Sequence, residues 1–168
     1  MVGSVSSQAM ASACKVWKNF VFPPWAVLPV EELDFTEDDS DALLILLRIA
    51  HSDFANVPTT VSYTELLNLA VLCDQYDCIE MTKNWIEGWL EGETILSIKP
   101  GYENWLFIAW VFGRAKVFDD LAIHLVRTIC IDEDGYCMNS QKKHLVGPFP
   151  PDIIGTHLSV PRQQAEST

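Results

Sequence analysis

The stretch ELLNLAVLCDQYDC, residues 65–78, places an apolar helical stripe directly before a group of Cys, Asp and Tyr residues. Its apolar side chains recur at three- and four-residue spacing, which predicts a helix with one buried face: Leu66, Leu69, Ala70 and Cys73. Ser62 and Glu65 have the spacing of a capping box, so the helix is predicted to begin there. Whether residues 73–78 form a site or only end this helix decides much of what the chain can do.

A metal site is the first possibility for this group. Five helical positions separate Cys73 from Cys78, which turns their side chains ~140° apart at 3.6 residues per turn. The chain has no CxxC and no His pair at zinc-like spacing, and its four His residues are scattered. We predict no metal ligands here. Instead, Cys73 packs in the core and Cys78 lies just past the helix end.

Catalysis is the second possibility. Asp74 and Asp77 have no nucleophile or base nearby to complete a constellation, and Asp77 fits a turn or a cap better. Cys130 and His124 lie six positions apart, on different faces of a helix. No GxxxxGK[ST], GxGxxG, GxSxG or HExxH motif occurs. The chain is therefore predicted not to be an enzyme and to carry no cofactor, with an enzyme of unrecognised type as the alternative.

The composition narrows the range of partners. The formal net charge is −12, which argues against nucleic acid and against anionic membrane surfaces as partners. No apolar run reaches the ~18 residues of a membrane span. The five Cys are odd in number and widely spread, so free thiols in a reducing compartment are the simplest interpretation. The predicted location is intracellular, in cytoplasm or nucleus.

The remaining N-terminal part predicts two further helices and one strand. Val16, Trp17, Phe20 and Val21 have the spacing of a short amphipathic helix, whereas residues 1–12 are small and polar and predicted to be flexible. Leu33 and Phe35 alternate with acidic residues, as in a half-buried strand. Asp39 or Ser40 is predicted to cap a central helix that is apolar on almost all sides from 43 to 49.

The C-terminal part predicts more helices and then a tail. Residues 79–92 carry an apolar stripe at helical spacing with a stop at Gly92: Thr82, Trp85, Ile86, Trp89 and Leu90. Two apolar helices separated near Gly113 read as a helical hairpin. The aromatic residues of these helices are interpreted as core, with one or two exposed anchors for a partner as the alternative. The sequence becomes polar and rich in Pro and Gly from Asp132 onward.

Several segments in this order resemble a known family. DALLILLRIAH (41–51), ELLNLAVLCDQYDC (65–78) and WIEGWL (85–90) resemble the C-terminal half of BTB/POZ domains of filamentous fungi. Residues 100–127 resemble the helical extension that follows that domain, and the resemblance covers roughly residues 12–158. It implies an α+β, mostly α fold, with a BTB/POZ-like helical cluster, a reduced β-sheet and a C-terminal helical extension.

The resemblance also implies a division of the chain. Residues 1–12 are expected to be a flexible N-terminus, 13–95 a partial BTB/POZ domain, 100–131 a helical-hairpin extension and 132–168 a mostly irregular tail. The family places a β-hairpin and a helix before the segment that SACKVWKNFVFPPW (12–25) resembles, and here about a dozen residues precede it. The domain is therefore expected to be N-terminally shortened. A degenerate fragment without stable function is a further alternative.

The function that the resemblance implies is that of a non-enzymatic protein–protein interaction module, an adaptor or scaffold. Members of the family self-associate, bind transcriptional regulators or link substrates to cullin-type ubiquitin ligases. The matching docking positions run from Ala42 to Leu67, and within them Phe54, Val57 and Tyr63 are expected to be partly exposed and to bind a partner. The acidic run from Glu31 to Asp41 is interpreted as a solvated face, with a charged docking patch as the alternative.

Overall fold

The structure is a computed structural model that describes residues 4–25, 30, 32–91, 97–151 and 153. The chain divides into two compact units. The first comprises Met1–Gly92 and Val111–Gly113, and the second comprises Glu93–Trp110 and Arg114–Thr168. The architecture is α+β and mostly α, as the sequence predicts, with one small two-stranded sheet among the described residues.

The first unit is a cluster of helices joined by short turns. Its α-helices in chain order are α1 (Ser7–Ala13), α2 (Lys15–Val21), α3 (Ser40–Ala50), α4 (Tyr63–Gln75) and α5 (Ile86–Trp89). Two 3₁₀ turns, Phe54–Asn56 and Ile79–Thr82, follow α3 and α4 respectively. α3 packs against α4 and α1 packs against both α2 and α3, so α3 is central.

The two long helices of this unit begin at the caps that the sequence predicts. The Asp39 carboxylate accepts a hydrogen bond from the Ala42 backbone N–H at 2.9 Å, which caps α3. The capping box of α4 is complete, because the Glu65 N–H donates to the Ser62 hydroxyl at 3.3 Å and the Ser62 N–H donates to the Glu65 carboxylate at 2.8 Å. Each bond satisfies a backbone donor that the first helical turn leaves without a partner.

Tyr76, at the C-terminal end of α4, joins three segments of the first unit. Its ring contacts Trp17 and Phe20 of α2, with centroids 5.7 and 6.1 Å apart, and Phe35 at 6.0 Å. Its hydroxyl donates a hydrogen bond to the Asp38 carboxylate, one residue before the cap of α3. Tyr76 is only 4% exposed, so one side chain fixes the start of α3 and the end of α4 together with α2.

The segment after α4 confirms the interpretation of the DQYDC residues as a helix end. Asp77 has φ 50°, a left-handed turn conformation in which Asp is tolerated, and the Cys78 N–H bonds back to the Cys73 carbonyl at 3.0 Å. Cys73 and Cys78 are both buried. The chain therefore turns sharply after α4, and the Cys78 side chain lies in the core.

Two predictions for the N-terminal part differ from the structure. Residues 1–12 were expected to be flexible, but α1 begins at Ser7 because the Ser6 side chain caps it, and Met10 is completely buried. The predicted strand at Leu33–Phe35 is wrong, since residues 32–35 have no strand conformation and no described segment pairs with them. Their burial still alternates, which explains the strand-like pattern.

The stripe at residues 79–92 does not form one continuous helix within the described part of the chain. It forms the 3₁₀ turn Ile79–Thr82 and then the single-turn helix α5. The Thr82 hydroxyl donates to the Ile79 carbonyl at 2.8 Å, a local bond that competes with regular helical bonding. The stop predicted at Gly92 lies outside the described residues.

The second unit contains a long helix, the small sheet and all of a shorter helix except its last residue, Val111. Two helices, α6 (Trp105–Val111) and α7 (Ala115–Thr128), are separated around Gly113, whose φ is 67°, as the sequence predicts. Strands β1 (Cys130–Ile131) and β2 (Cys137–Met138) pair antiparallel, with Ile131 opposite Cys137. The Asp132 carboxylate holds the hairpin turn by accepting from the N–H groups of Asp134 and Tyr136, at 3.0 and 2.8 Å. The sheet thus lies partly in the segment, residues 132–168, that is expected to be mostly irregular.

The two most buried indoles of the first unit differ in their hydrogen bonding, which gives a testable prediction. Trp17 and Trp89 are 0% and 2% exposed. The Trp89 indole N–H donates to the Pro58 carbonyl at 2.8 Å, whereas the Trp17 indole N–H has no acceptor among the described residues. W17F removes this buried donor, whereas W89F leaves a carbonyl unpaired. We expect W89F to lower the free energy of unfolding by about 1–3 kcal/mol more than W17F does. Urea denaturation of both variants measures the difference, and equal losses would contradict the assignment.

Stability at alkaline pH should depend on Tyr76. Burial, and then the hydrogen bond to Asp38, raise the pKa of Tyr76 well above its usual range. Because the folded-state pKa is raised, the stability that Tyr76 contributes is fully present below the unfolded pKa of about 10 and is lost as the pH rises toward the folded pKa. Y76F should cost about 1–2 kcal/mol at pH 7. Above pH 10 the difference between wild type and Y76F should shrink, and denaturation at pH 7, 10 and 11 would show whether it stays constant instead.

Candidate functional site

The connection between α3 and α4 is held by hydrogen bonds from its own residues. The Asp53 N–H donates to the Arg48 carbonyl at 2.9 Å, and the Asn56 amide donates to both Asp53 carboxylate oxygens, at 2.8 and 3.1 Å. The Arg48 guanidinium donates to the Asn56 carbonyl at 2.9 Å. The 3₁₀ turn Phe54–Asn56 is thereby fixed to the last turn of α3.

The same connection is anchored to α5. The Trp89 indole bonds to the Pro58 carbonyl, and Val57 is buried at 6% exposure. A Cβ atom added at Gly88 would lie 2.5 Å from the Thr59 backbone oxygen, so only glycine permits this approach of helix and loop. Residues 54–59 are therefore positioned by α3 on one side and α5 on the other.

This rigid connection presents an aromatic side chain to solvent. Phe54 is 54% exposed, and its ring contacts the half-buried Trp85 with centroids 5.4 Å apart. A large apolar side chain that is exposed and yet supported by a second ring is a typical anchor of protein interfaces. We refer to Phe54 and Trp85 as the aromatic pair.

The three residues predicted to bind a partner differ in how exposed their side chains are. Phe54 is exposed as expected, and Tyr63, the first residue of α4, is partly buried. The expectation that Val57 is partly exposed is wrong, because its side chain turns into the core of the first unit. Binding by any of the three stays a prediction. Trp85 was named from the sequence only as one of several possible exposed anchors.

A second group of exposed aromatic residues lies at the C-terminal end of α2 and just beyond it, and sequence reasoning did not single it out. Phe20 and Phe22 are 41% and 39% exposed, and Trp25 is 83% exposed. The available signal was Pro23-Pro24, because a proline pair ends a helix and directs the residues around it away from the helical stripe. Phe20 also contacts Tyr76, so only part of this group is independent of the core.

The thiols and carboxylates near the end of α4 are not arranged for nucleophilic chemistry. The hydrogen bond with Cys78, and then burial, raise the pKa of the Cys73 thiol, and burial raises that of Cys14. A protonated thiol is a poor nucleophile. Burial, and then the nearby Asp77, raise the pKa of Asp74. Cys73 is buried in the packing at the helix end, whereas Asp74 stays exposed there.

Metal ligands and cavities are two further features of the described ranges that bear on a site. No group of three or more His, Cys, Asp or Glu side chains among them is placed to hold a metal ion. A cavity of about 20 Å³ lies in the second unit between Lys99, Glu103 and His124. That volume holds roughly one water molecule.

Charge is distributed unevenly along the chain. Residues 1–92 contain four Lys or Arg and fourteen Asp or Glu, which gives −10 of the total −12. The first unit, which carries the aromatic pair, is therefore strongly acidic. Lys15, Lys18, Arg48 and Lys83 are its four basic residues. Such a surface attracts basic partners and repels acidic ones.

No protein-family model matches this chain, and neither the curated proteins nor the solved structures contain a significant match to it. The resemblance to BTB/POZ domains thus rests on the sequence segments that carry it. None of the helices in the described ranges has the length and apolar character needed to cross a bilayer.

The contact between Gly88 and Thr59 predicts an unusual response to alanine. Gly to Ala in a helix ordinarily stabilises by roughly 1 kcal/mol. In G88A the new methyl group would meet a backbone oxygen, so we expect a net loss of stability and faster amide hydrogen exchange at residues 54–59. N84A, an exposed position just before α5, is the matched control and should be neutral. A stabilised G88A with unchanged exchange would show that the loop does not rest on α5.

Proposed function

We propose that this chain is a non-enzymatic protein–protein interaction module of BTB/POZ type, acting as an adaptor or scaffold. The observation that carries the proposal is the aromatic pair, in which Phe54 is exposed on a connection that Arg48, Gly88 and Trp89 hold in place. Preorganisation matters because ordering a mobile loop on binding costs affinity. An exposed side chain on a fixed backbone avoids that cost.

The partner we propose is a protein with an apolar recess bordered by basic side chains. The recess would accept Phe54, and the basic border would complement the acidic first unit. The resemblance suggests a cullin-type ubiquitin-ligase scaffold as the first partner to test, with transcriptional regulators as the second class. The position of Phe54 between α3 and α4 lies within the positions expected to dock such a scaffold.

Binding to the N-terminal region of a cullin tests this proposal directly. We expect micromolar binding by calorimetry or biolayer interferometry. F54S should weaken it at least about tenfold, the cost typical of a central anchor residue. W25S, which removes another exposed aromatic residue of the same unit, is the matched control and should bind as wild type does.

The outcomes separate the alternatives. Absence of binding would reject the cullin partner, and equal binding by F54S and wild type would reject the aromatic pair as the docking surface. A cooperative thermal transition with a helical circular dichroism spectrum must accompany either result, because a degenerate fragment would give neither.

A further inference from the structure

Helix α7 of the second unit has an outer face that is entirely solvent-exposed. At 100° per residue its members fall within an arc of about 120°: Lys116, Asp119, Asp120, Ile123, Val126 and Arg127. The opposite face buries Leu121 and Leu125. We call this exposed arc the outer stripe.

The middle of the outer stripe is apolar. Ile123 is 52% exposed and Val126 is 81% exposed, one turn apart on the same face. Ile131, just beyond the helix in β1, is 69% exposed. Single exposed aliphatic residues are common on protein surfaces, but two neighbouring ones on one helix face, Ile123 and Val126, are typical of a surface that packs against another protein surface.

Charges of opposite sign flank this apolar centre. Asp119 and Asp120 lie N-terminal to Ile123, and Arg127 lies one turn C-terminal to it. The Lys116 ammonium pairs with Asp120 at 2.6 Å. Arg127 makes no ion pair with any described residue. The N-terminal end of the outer stripe thus carries two carboxylates and one ammonium, a net negative charge, and the C-terminal end presents a guanidinium.

This pattern is complementary to itself in one orientation only. If two copies of α7 pack antiparallel about a two-fold axis near Ile123, Arg127 of each copy lies opposite Asp120 of the other. The aliphatic residues then meet at the centre. Parallel packing would instead place Arg127 beside Arg127 and carboxylates beside carboxylates, which is unfavourable.

We propose that the outer stripe of α7 is a self-association surface, through which two copies of this chain form an antiparallel, two-fold symmetric dimer. The helix has 14 residues, about 21 Å in length, so the contact is smaller than a standard interface. The dimer is accordingly weak and forms at micromolar or higher concentration. The proposal involves no residue of the aromatic pair and does not depend on the function proposed above.

Sedimentation velocity of the full chain, from 10 µM to about 1 mM, tests the proposal through a charge exchange. R127E and D120R should each raise the dimer dissociation constant at least about tenfold, because each creates two like-charge contacts across the two-fold axis. The double variant R127E/D120R should return the dissociation constant to near the wild-type value. V126D should abolish the dimer. K143E changes the net charge as R127E does, at an exposed position of the same unit, and should dimerise normally.

Recovery of dimerisation in the double variant R127E/D120R distinguishes the outer stripe from any other self-association surface. A chain that stays monomeric at 1 mM would overturn the proposal, as would a dimer that R127E and D120R weaken without recovery in the double variant. Circular dichroism confirms that each variant is folded, which is expected because every changed side chain is exposed. F54S should dimerise as wild type does, so failure of the cullin experiment and failure of this one are separate results.

Discussion

The packing of Tyr76 is the interaction on which the first unit depends. Three rings from α2 and from the segment before α3 surround it, and its hydroxyl reaches Asp38, next to the residue that caps α3. This one side chain therefore links the beginning of α3, the end of α4 and two aromatic residues of α2. Residues 32–35 pair with no strand in the described part of the chain, and the contact of the Phe35 ring with Tyr76 holds that segment. Residues 73–78, the segment in which a chemical site was considered, form the turn at the end of α4.

Phe54 is a candidate anchor for a partner because hydrogen bonds hold the backbone on either side of it. A loop that must order on binding loses affinity through conformational entropy. Here the backbone of residues 53–58 is already tied to α3 through Arg48 and to α5 through Trp89, while Gly88 permits the close approach of the helix. The acidic character of residues 1–92 adds long-range attraction for a basic partner. Rigidity, an apolar anchor and charge together favour recognition of a protein surface.

The second unit presents a different kind of surface. Its long helix α7 buries Leu121 and Leu125 on one side and leaves Ile123 and Val126 in solvent on the other. The apolar periodicity of the sequence predicts that α7 exists, but Leu, Ile and Val look alike in a hydropathy pattern. Only the burial of each residue separates the core face from the outer face. The self-complementary placement of Asp120 and Arg127 becomes meaningful once that separation is known.

Interactions between residues a few positions apart in the sequence determined where several helices of this protein begin and end. The caps at Asp39 and Ser62, the helical stripe ending at Cys73 and the break at Gly113 follow from backbone donors that need partners and from glycine's freedom at positive φ. Tertiary structure decided the rest. Leu33–Phe35 alternates like a strand but pairs with no described strand, the described part of the 79–92 stripe is divided between a 3₁₀ turn and α5, and Val57 turns inward while Phe54 stays outside. Strand pairing and side-chain exposure depend on segments that are distant in the chain. A local sequence pattern does not show which of those segments come into contact in the fold.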